Sequence, residues 1–168
     1  MRLFFALWPP LGAAEALAAW ARRVRRQTGG SVVRARNIHL TLAFLGEVDE
    51  TRAAELHRIP VWGERHALPI EIARYWARNR ILWVGPEETP APLVTLAGRL
   101  QDLLAAWHFR TEARTFSAHV TLLRKAGEPE ELPPLPELDW PVEDCVLVRS
   151  ELSAQGSRYQ VLQRFPLV

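Results

Sequence analysis

Apolar positions follow two rhythms along this chain, and the switches between them outline its elements. Residues 2–8 are apolar after Arg2, the pattern of a buried strand, and Pro9-Pro10 breaks it while offering a proline where a helix can begin. Leu11, Ala14, Leu17, Ala18, Ala21 and Val24 then recur at helical spacing, with Arg22, Arg25 and Arg26 largely off the stripe, and Gly29-Gly30 ends the run. A short strand is expected at residues 32–34, an alternating strand at 39–45 up to Gly46, and a short helix with an acidic start at 49–59. Residues 68–77 and 80–84 flank a polar Arg78-Asn79 turn and read as a hairpin stopped by Gly85-Pro86. Leu93, Leu96, Ala97, Leu100, Leu103, Leu104 and Trp107 predict a second long amphipathic helix over 90–107. A strand follows near 116–123, then a loop over 127–141 with five prolines, then two strands at 142–152 and 158–165 joined by a turn at 153–157.

This order predicts an α+β fold with mostly antiparallel pairing, and no linker divides it, so residues 1–168 are expected to form one domain. One internal echo interrupts an otherwise unrepetitive chain. Ile38-His39-Leu40-Thr41-Leu42 returns eighty positions later as Ala118-His119-Val120-Thr121-Leu122, each copy on a strand that follows a long helix. Two related halves packed face to face would produce that pattern.

Composition narrows the setting. The 168 residues are 48% hydrophobic, enough for a sizeable core. No run approaches the roughly 18 apolar residues of a membrane helix, and the N-terminus has no signal-peptide plan, so the expected location is the cytoplasm, away from membranes. A single cysteine, Cys145, excludes an internal disulfide and a multi-cysteine metal site, and its expected role is packing in a strand. The net charge of +2 argues against broad coating of nucleic acid, yet residues 1–40 hold seven arginines against Glu15 alone. That basic quarter suits a phosphate-bearing partner. Arg22, Arg23, Arg25 and Arg26 are candidates for the contact, the alternative being a solvated helix face.

Side chains alternate along a strand, so His39 and Thr41 point one way while Leu40 and Leu42 point the other, and His119 and Thr121 repeat the arrangement. Two His/Thr pairs would then line one groove between facing halves. A lone strand histidine is usually hydrogen-bonded and inert; its repetition in the same context shifts the weight toward chemistry. Zinc needs three or four ligands and threonine is a poor one, and the chain has no Gly-x-Ser-x-Gly elbow. Cleavage of a phosphodiester, in contrast, needs one group to take a proton from the nucleophile and another to protonate the leaving oxygen. Histidine does either near neutral pH, and threonine hydroxyls can bond the non-bridging phosphoryl oxygens.

The two His-x-Thr-apolar motifs, the opening Arg2-Leu3-Phe4-Phe5-Ala6-Leu7 and the run from Asn37 to Gly46 resemble the bacterial RNA 2′,3′-cyclic phosphodiesterases, also called the 2′-5′ RNA ligase family, within the two-histidine phosphoesterases. The resemblance spans nearly the whole chain. It implies a bilobal α+β fold, two pseudo-symmetric antiparallel sheets with flanking helices around a central groove. It implies an RNA substrate ending in a 2′,3′-cyclic phosphate, with no cofactor and no metal. His39 would protonate the leaving 3′ oxygen, His119 would activate water, Thr41 and Thr121 would bind the phosphate, and the product would carry a 2′-phosphate. It also assigns a substrate contact to Arg124, which strict alternation would put on the face opposite His119 unless the strand ends or a bulge intervenes at Leu122-Leu123. Ala118 departs from the proline common in the family at that place.

Among aromatics, Trp83, Phe44, Trp76 and Phe116 are candidates to stack on a base, although aromatic strand residues are mostly core. The same histidines would also serve ATP-independent 2′-5′ joining to a 5′-hydroxyl, and a non-catalytic RNA- or nucleotide-binding module is the reading from another class. Two intact His/Thr pairs weigh against the last. Oligomeric state leaves no mark on the sequence, so a monomer is the default.

Overall fold

Strand pairing is antiparallel throughout the described residues, 1–112 and 114–168 of the computed structural model. In chain order the elements are β1 (Arg2–Leu7), α1 (Leu11–Thr28), β2 (Ser31–Val32), β3 (Leu40–Glu47), α2 (Glu50–Leu56), β4 (His66–Ala67), β5 (Ile72–Trp76), β6 (Ile81–Gly85), α3 (Ala91–Ala106), β7 (Val120–Arg124), β8 (Pro141–Val142), β9 (Asp144–Ser153) and β10 (Gly156–Pro166). The main sheet runs β10-β9-β1-β3-β7-β6-β5, with β2 also pairing β7, and β4 and β8 form a separate ribbon. The fold is α+β, as the element order predicts.

The order is symmetric about the β3/β7 junction. On one side β3 pairs β1, and on the other β7 pairs β6, so each half is a strand, a long helix and a motif-bearing strand folded back on the first. The helices cross over: α1 packs against β2 and β7, while α3 packs against β3. Each half's helix therefore covers the other half's motif strand, and one core cluster runs through both.

Among the described residues one ladder pair, Leu40 with Val120, bridges β3 and β7. Both side chains are fully buried on the helix-covered side. Truncating Leu40 to alanine would cost about 2–5 kcal/mol at this seam. Past it the two half-sheets part, and the opening between them is the groove.

The helices bury the stripes their spacing predicts, with local differences. In α1, Ala14, Leu17, Ala18, Ala21 and Val24 are buried, and Gly29 ends the helix at φ 66° with its N–H on the Arg25 carbonyl. Leu11, at the first turn, is instead exposed, and Trp20 takes its place in the core with Nε1 donating to the Pro133 carbonyl at 3.1 Å. That bond explains how a proline-rich loop lies flat against the protein: Trp140 is buried within it, and Leu132, Leu135 and Leu138 pack on the core. Cys145 is buried in β9. Among the described residues no helix is long and apolar enough to cross a membrane.

Candidate active site

His39 and His119 occupy matching places, each one residue before its strand begins, directly beside the Leu40–Val120 pair. Continuing that antiparallel register by one residue either way sets His39 opposite Thr121 and Thr41 opposite His119. Alternation turns all four away from the buried Leu40 and Val120, and all four line one groove of about 760 Å³.

The two imidazoles are held alike. Nδ1 of His39 donates to the carbonyl of Asn37 at 2.7 Å, and Nδ1 of His119 donates to the carbonyl of Ser117 at 2.8 Å. A carbonyl only accepts, so the proton of each neutral ring sits on Nδ1 and the reactive lone pair is on Nε2. Nε2 of His39 lies 3.1 Å from the Thr41 hydroxyl. Among the described residues no side chain hydrogen-bonds Nε2 of His119.

Their surroundings differ more. His39 is half-buried in an aromatic box: Trp8 stacks on it at 4.9 Å and 10°, Tyr159 meets it edge-on at 5.3 Å, and Phe4 lies at 5.0 Å. His119 has Trp76 at 4.7 Å and Trp83 at 6.1 Å. Burial pulls the pKa of His39 from 6.5 down to about 4, with the Asn37 carbonyl opposing and the charges of Arg124 and His119 assisting. His119 is also lowered, again chiefly by burial, with Ser117 opposing and Arg124 and Arg114 assisting. Both rings are thus neutral at pH 7 in the free protein, and an anion placed between them would favour their charged forms.

Arg124 faces the groove because β7 breaks its alternation. Leu82 pairs with Leu123 and Trp83 with Thr121, so Leu122 is an extra residue in the ladder to β6. Leu122 and Leu123 are both buried, and the next residue returns to the histidine side. The carbonyl of Leu122 accepts from Val33 N–H at 2.9 Å. Two glycines allow the backbone to grip β7 at its ends. A Cβ on Gly30, where φ is +90°, would lie 2.5 Å from the Arg124 carbonyl, and one on Gly85 would lie 2.8 Å from the Ala118 carbonyl.

Arg34, Arg114, Arg124 and Lys125 line the groove against Glu112, so it is far more basic than the chain's net charge suggests. Phe44, Trp76 and Phe116 line it as well, whereas Trp83 packs behind Trp76 at 5.1 Å and does not. The α1 arginines Arg22, Arg23, Arg25 and Arg26 are exposed and line no part of it. Of the other three histidines, His57 and His108 are exposed, and His66 is half-buried in β4 with Nε2 enclosed. Among the described residues no three His, Cys, Asp or Glu side chains gather as a metal site would need. Sequence reasoning missed the Trp8, Phe4 and Tyr159 box, which comes from β1, the residues just after it and β10, far along the chain from either motif, and the two carbonyl latches.

The sequence model of the family described as "LigT like Phosphoesterase" matches the chain twice, at residues 7–83 and 84–159, each match holding one of the two His-x-Thr motifs. The RNA 2′,3′-cyclic phosphodiesterase of Escherichia coli K12 is 34% identical over 99% of this chain and 96% of its own length. The protein of the same name from Thermus thermophilus is 31% identical over 99% and 90%. The crystal structure of E. coli LigT complexed with 3′-AMP superposes with a TM-score of 0.90 at 32% identity, covering 99% of this chain and 98% of that one. A twofold family match, relatives aligned over nearly their full length and a shared fold together establish that this chain belongs to the LigT-like phosphoesterases.

Proposed function

We propose that the chain hydrolyses the terminal 2′,3′-cyclic phosphate of RNA to a 2′-phosphate by proton transfer between His39 and His119, without a metal ion. The observation that carries this reading is the matched pair of imidazoles, each latched through Nδ1 so that both Nε2 atoms serve one basic groove. The activity named for the E. coli and Thermus relatives supports the choice of substrate.

In the reacting complex His39 is charged and His119 neutral. Nε2 of His119 takes a proton from water as the water oxygen bonds to phosphorus; the bond from phosphorus to the 3′ oxygen breaks, and Nε2–H of His39 donates its proton to that oxygen. The product has a 2′-phosphate and a 3′-hydroxyl, and the imidazoles regain their starting states by exchanging protons with solvent. Thr41, Thr121 and Arg124 hold the non-bridging oxygens, where charge must be stabilised through the transition state. The phosphate anion itself raises the pKa of His39 on binding, which supplies the charged donor that the free site lacks.

Incubation with an oligonucleotide ending in a 2′,3′-cyclic phosphate, in excess chelator, tests the reaction. The expected product resists a phosphatase specific for 3′-phosphates. Activity lost to chelator and restored by zinc or manganese would overturn the metal-free mechanism, and a 3′-phosphate product would reverse the two histidine roles.

A further inference from the structure

A second cleft of about 510 Å³ opens off the groove at the tip of the β9–β10 hairpin. Arg34, Asn37, Gln155, Ser157 and Tyr159 line both cavities, so the two are continuous. Three arginines, Arg34, Arg36 and Arg158, line this cleft, and among the described residues no Asp or Glu does. Among the described residues none of the three pairs with an acid. Glu151 stands opposite Arg158 in the ladder, but its carboxylate is taken by Arg149 at 2.7 Å.

The cleft walls are built without a ligand. Nδ2 of Asn37 donates to the Ser157 carbonyl at 3.0 Å, and Nη2 of Arg34 donates to the Gln155 carbonyl at 3.2 Å. These bonds tie the turn at Ala35–Asn37 to the hairpin tip. Asn37 joins the cleft to the chemistry, because its backbone carbonyl is the one that latches His39. Three exposed guanidiniums on one concave wall repel each other, and a polyanion relieves that repulsion while releasing its own counterions. Guanidinium forks suit phosphate oxygens in particular.

We infer that this cleft is the strand subsite of the enzyme: it holds backbone phosphates of the nucleotides that precede the terminal cyclic phosphate. The inference rests on the reaction proposed above and adds that substrate length is read at Arg34, Arg36 and Arg158. A nucleoside 2′,3′-cyclic monophosphate fills the main groove alone, whereas an oligonucleotide continues into the cleft. Of the three arginines, Arg36 and Arg158 lie outside the main groove, so they separate the two cavities cleanly.

The test compares kcat/KM for a nucleoside 2′,3′-cyclic monophosphate and for a tetranucleotide with the same end, in the wild type and in an Arg36→Gln/Arg158→Gln double variant. The variant is expected to lose roughly tenfold on the tetranucleotide, as two exposed charge contacts would give, and less than about twofold on the monophosphate. The slope of log kcat/KM against log salt for the tetranucleotide should become shallower by about 1.4, or about 0.7 for each phosphate contact removed. An equal loss on both substrates, or an unchanged rate and slope on the tetranucleotide, would overturn the inference. Fluorescence anisotropy with a labelled tetranucleotide ending in a 3′-phosphate reads the same slope without turnover, so failure of the reaction and failure of the cleft are seen separately.

Discussion

Replacing Trp8 by alanine should raise the pKa of His39 by about 0.8 unit. Burial lowers that pKa from 6.5 to about 4, which is about 3 kcal/mol against the imidazolium. Three rings enclose the imidazole, and Trp8 is the one stacked flat on its face, at 4.9 Å and 10°. If the rings share the desolvation about equally, removing one returns roughly a third of the displacement of about 2.5 units. The indole face also attracts an imidazolium, which opposes the change, but burial is the larger cause here. If the protonation state that reacts is the proposed one, His39 charged and His119 neutral, a minor form of the free protein at pH 7, kcat/KM should be bell-shaped, centred at the mean of the pair's two apparent pKa values. Both histidines are lowered, so the wild-type centre should fall below pH 6.5, and Trp8→Ala should move it toward alkali by about 0.4 unit, half the His39 shift. NMR titration of the imidazole carbons reads the His39 change directly, and pH-rate profiles read its consequence. A wild-type His39 pKa at or above 6.5, or a lower value in Trp8→Ala, would refute the reasoning.

Thr41→Val and Thr121→Val should each reduce kcat/KM by roughly 10–1000-fold while the product remains a 2′-phosphate, since each removes a hydroxyl from the phosphate and leaves the proton donors in place; a change in product regiochemistry would contradict that assignment. Stability should fall on acidification in a window set by His39. The unfolded chain takes up a proton near pH 6.5 and the folded one near 4, so the contribution is complete above pH 6.5 and lost as pH falls toward 4, by up to about 3 kcal/mol. Urea unfolding at about pH 7 and about pH 4.5 should therefore show a smaller acid loss in His39→Phe than in the wild type, and an equal loss would count against the low pKa.

Much of this architecture could be read along the chain because it is local. The strand and helix rhythms survive in the structure with ends displaced by a few residues: the expected strand at 116–123 begins only at Val120, and the hairpin strand expected from residue 68 begins at Ile72. The β4–β8 ribbon escaped notice because strands of two residues, His66–Ala67 and Pro141–Val142, have no periodicity to detect. The His/Thr echo pointed to the groove because identical spacing on matching strands produces identical facing. What the sequence concealed is non-local. Parity alone sends Arg124 to the wrong face, and only the pairing of β7 with β6 reveals the extra residue Leu122 that brings it back. Of the arginines in residues 1–40, those that line the groove and cleft are Arg34 and Arg36, beyond the conspicuous α1 cluster. Trp8 and Tyr159 reach His39 only because β1 lies two strands from β10, an adjacency no local pattern encodes.

The central claim is that two imidazoles divide the proton transfers of one phosphodiester cleavage, and single-turnover rates of His39→Ala, His119→Ala and the double variant on an RNA ending in a 2′,3′-cyclic phosphate test it most directly. Each single variant is expected to lose roughly 10²–10⁴ in rate with its fold intact by circular dichroism, and the double variant to lose less than the product of the two. Full activity in either single variant would contradict the account.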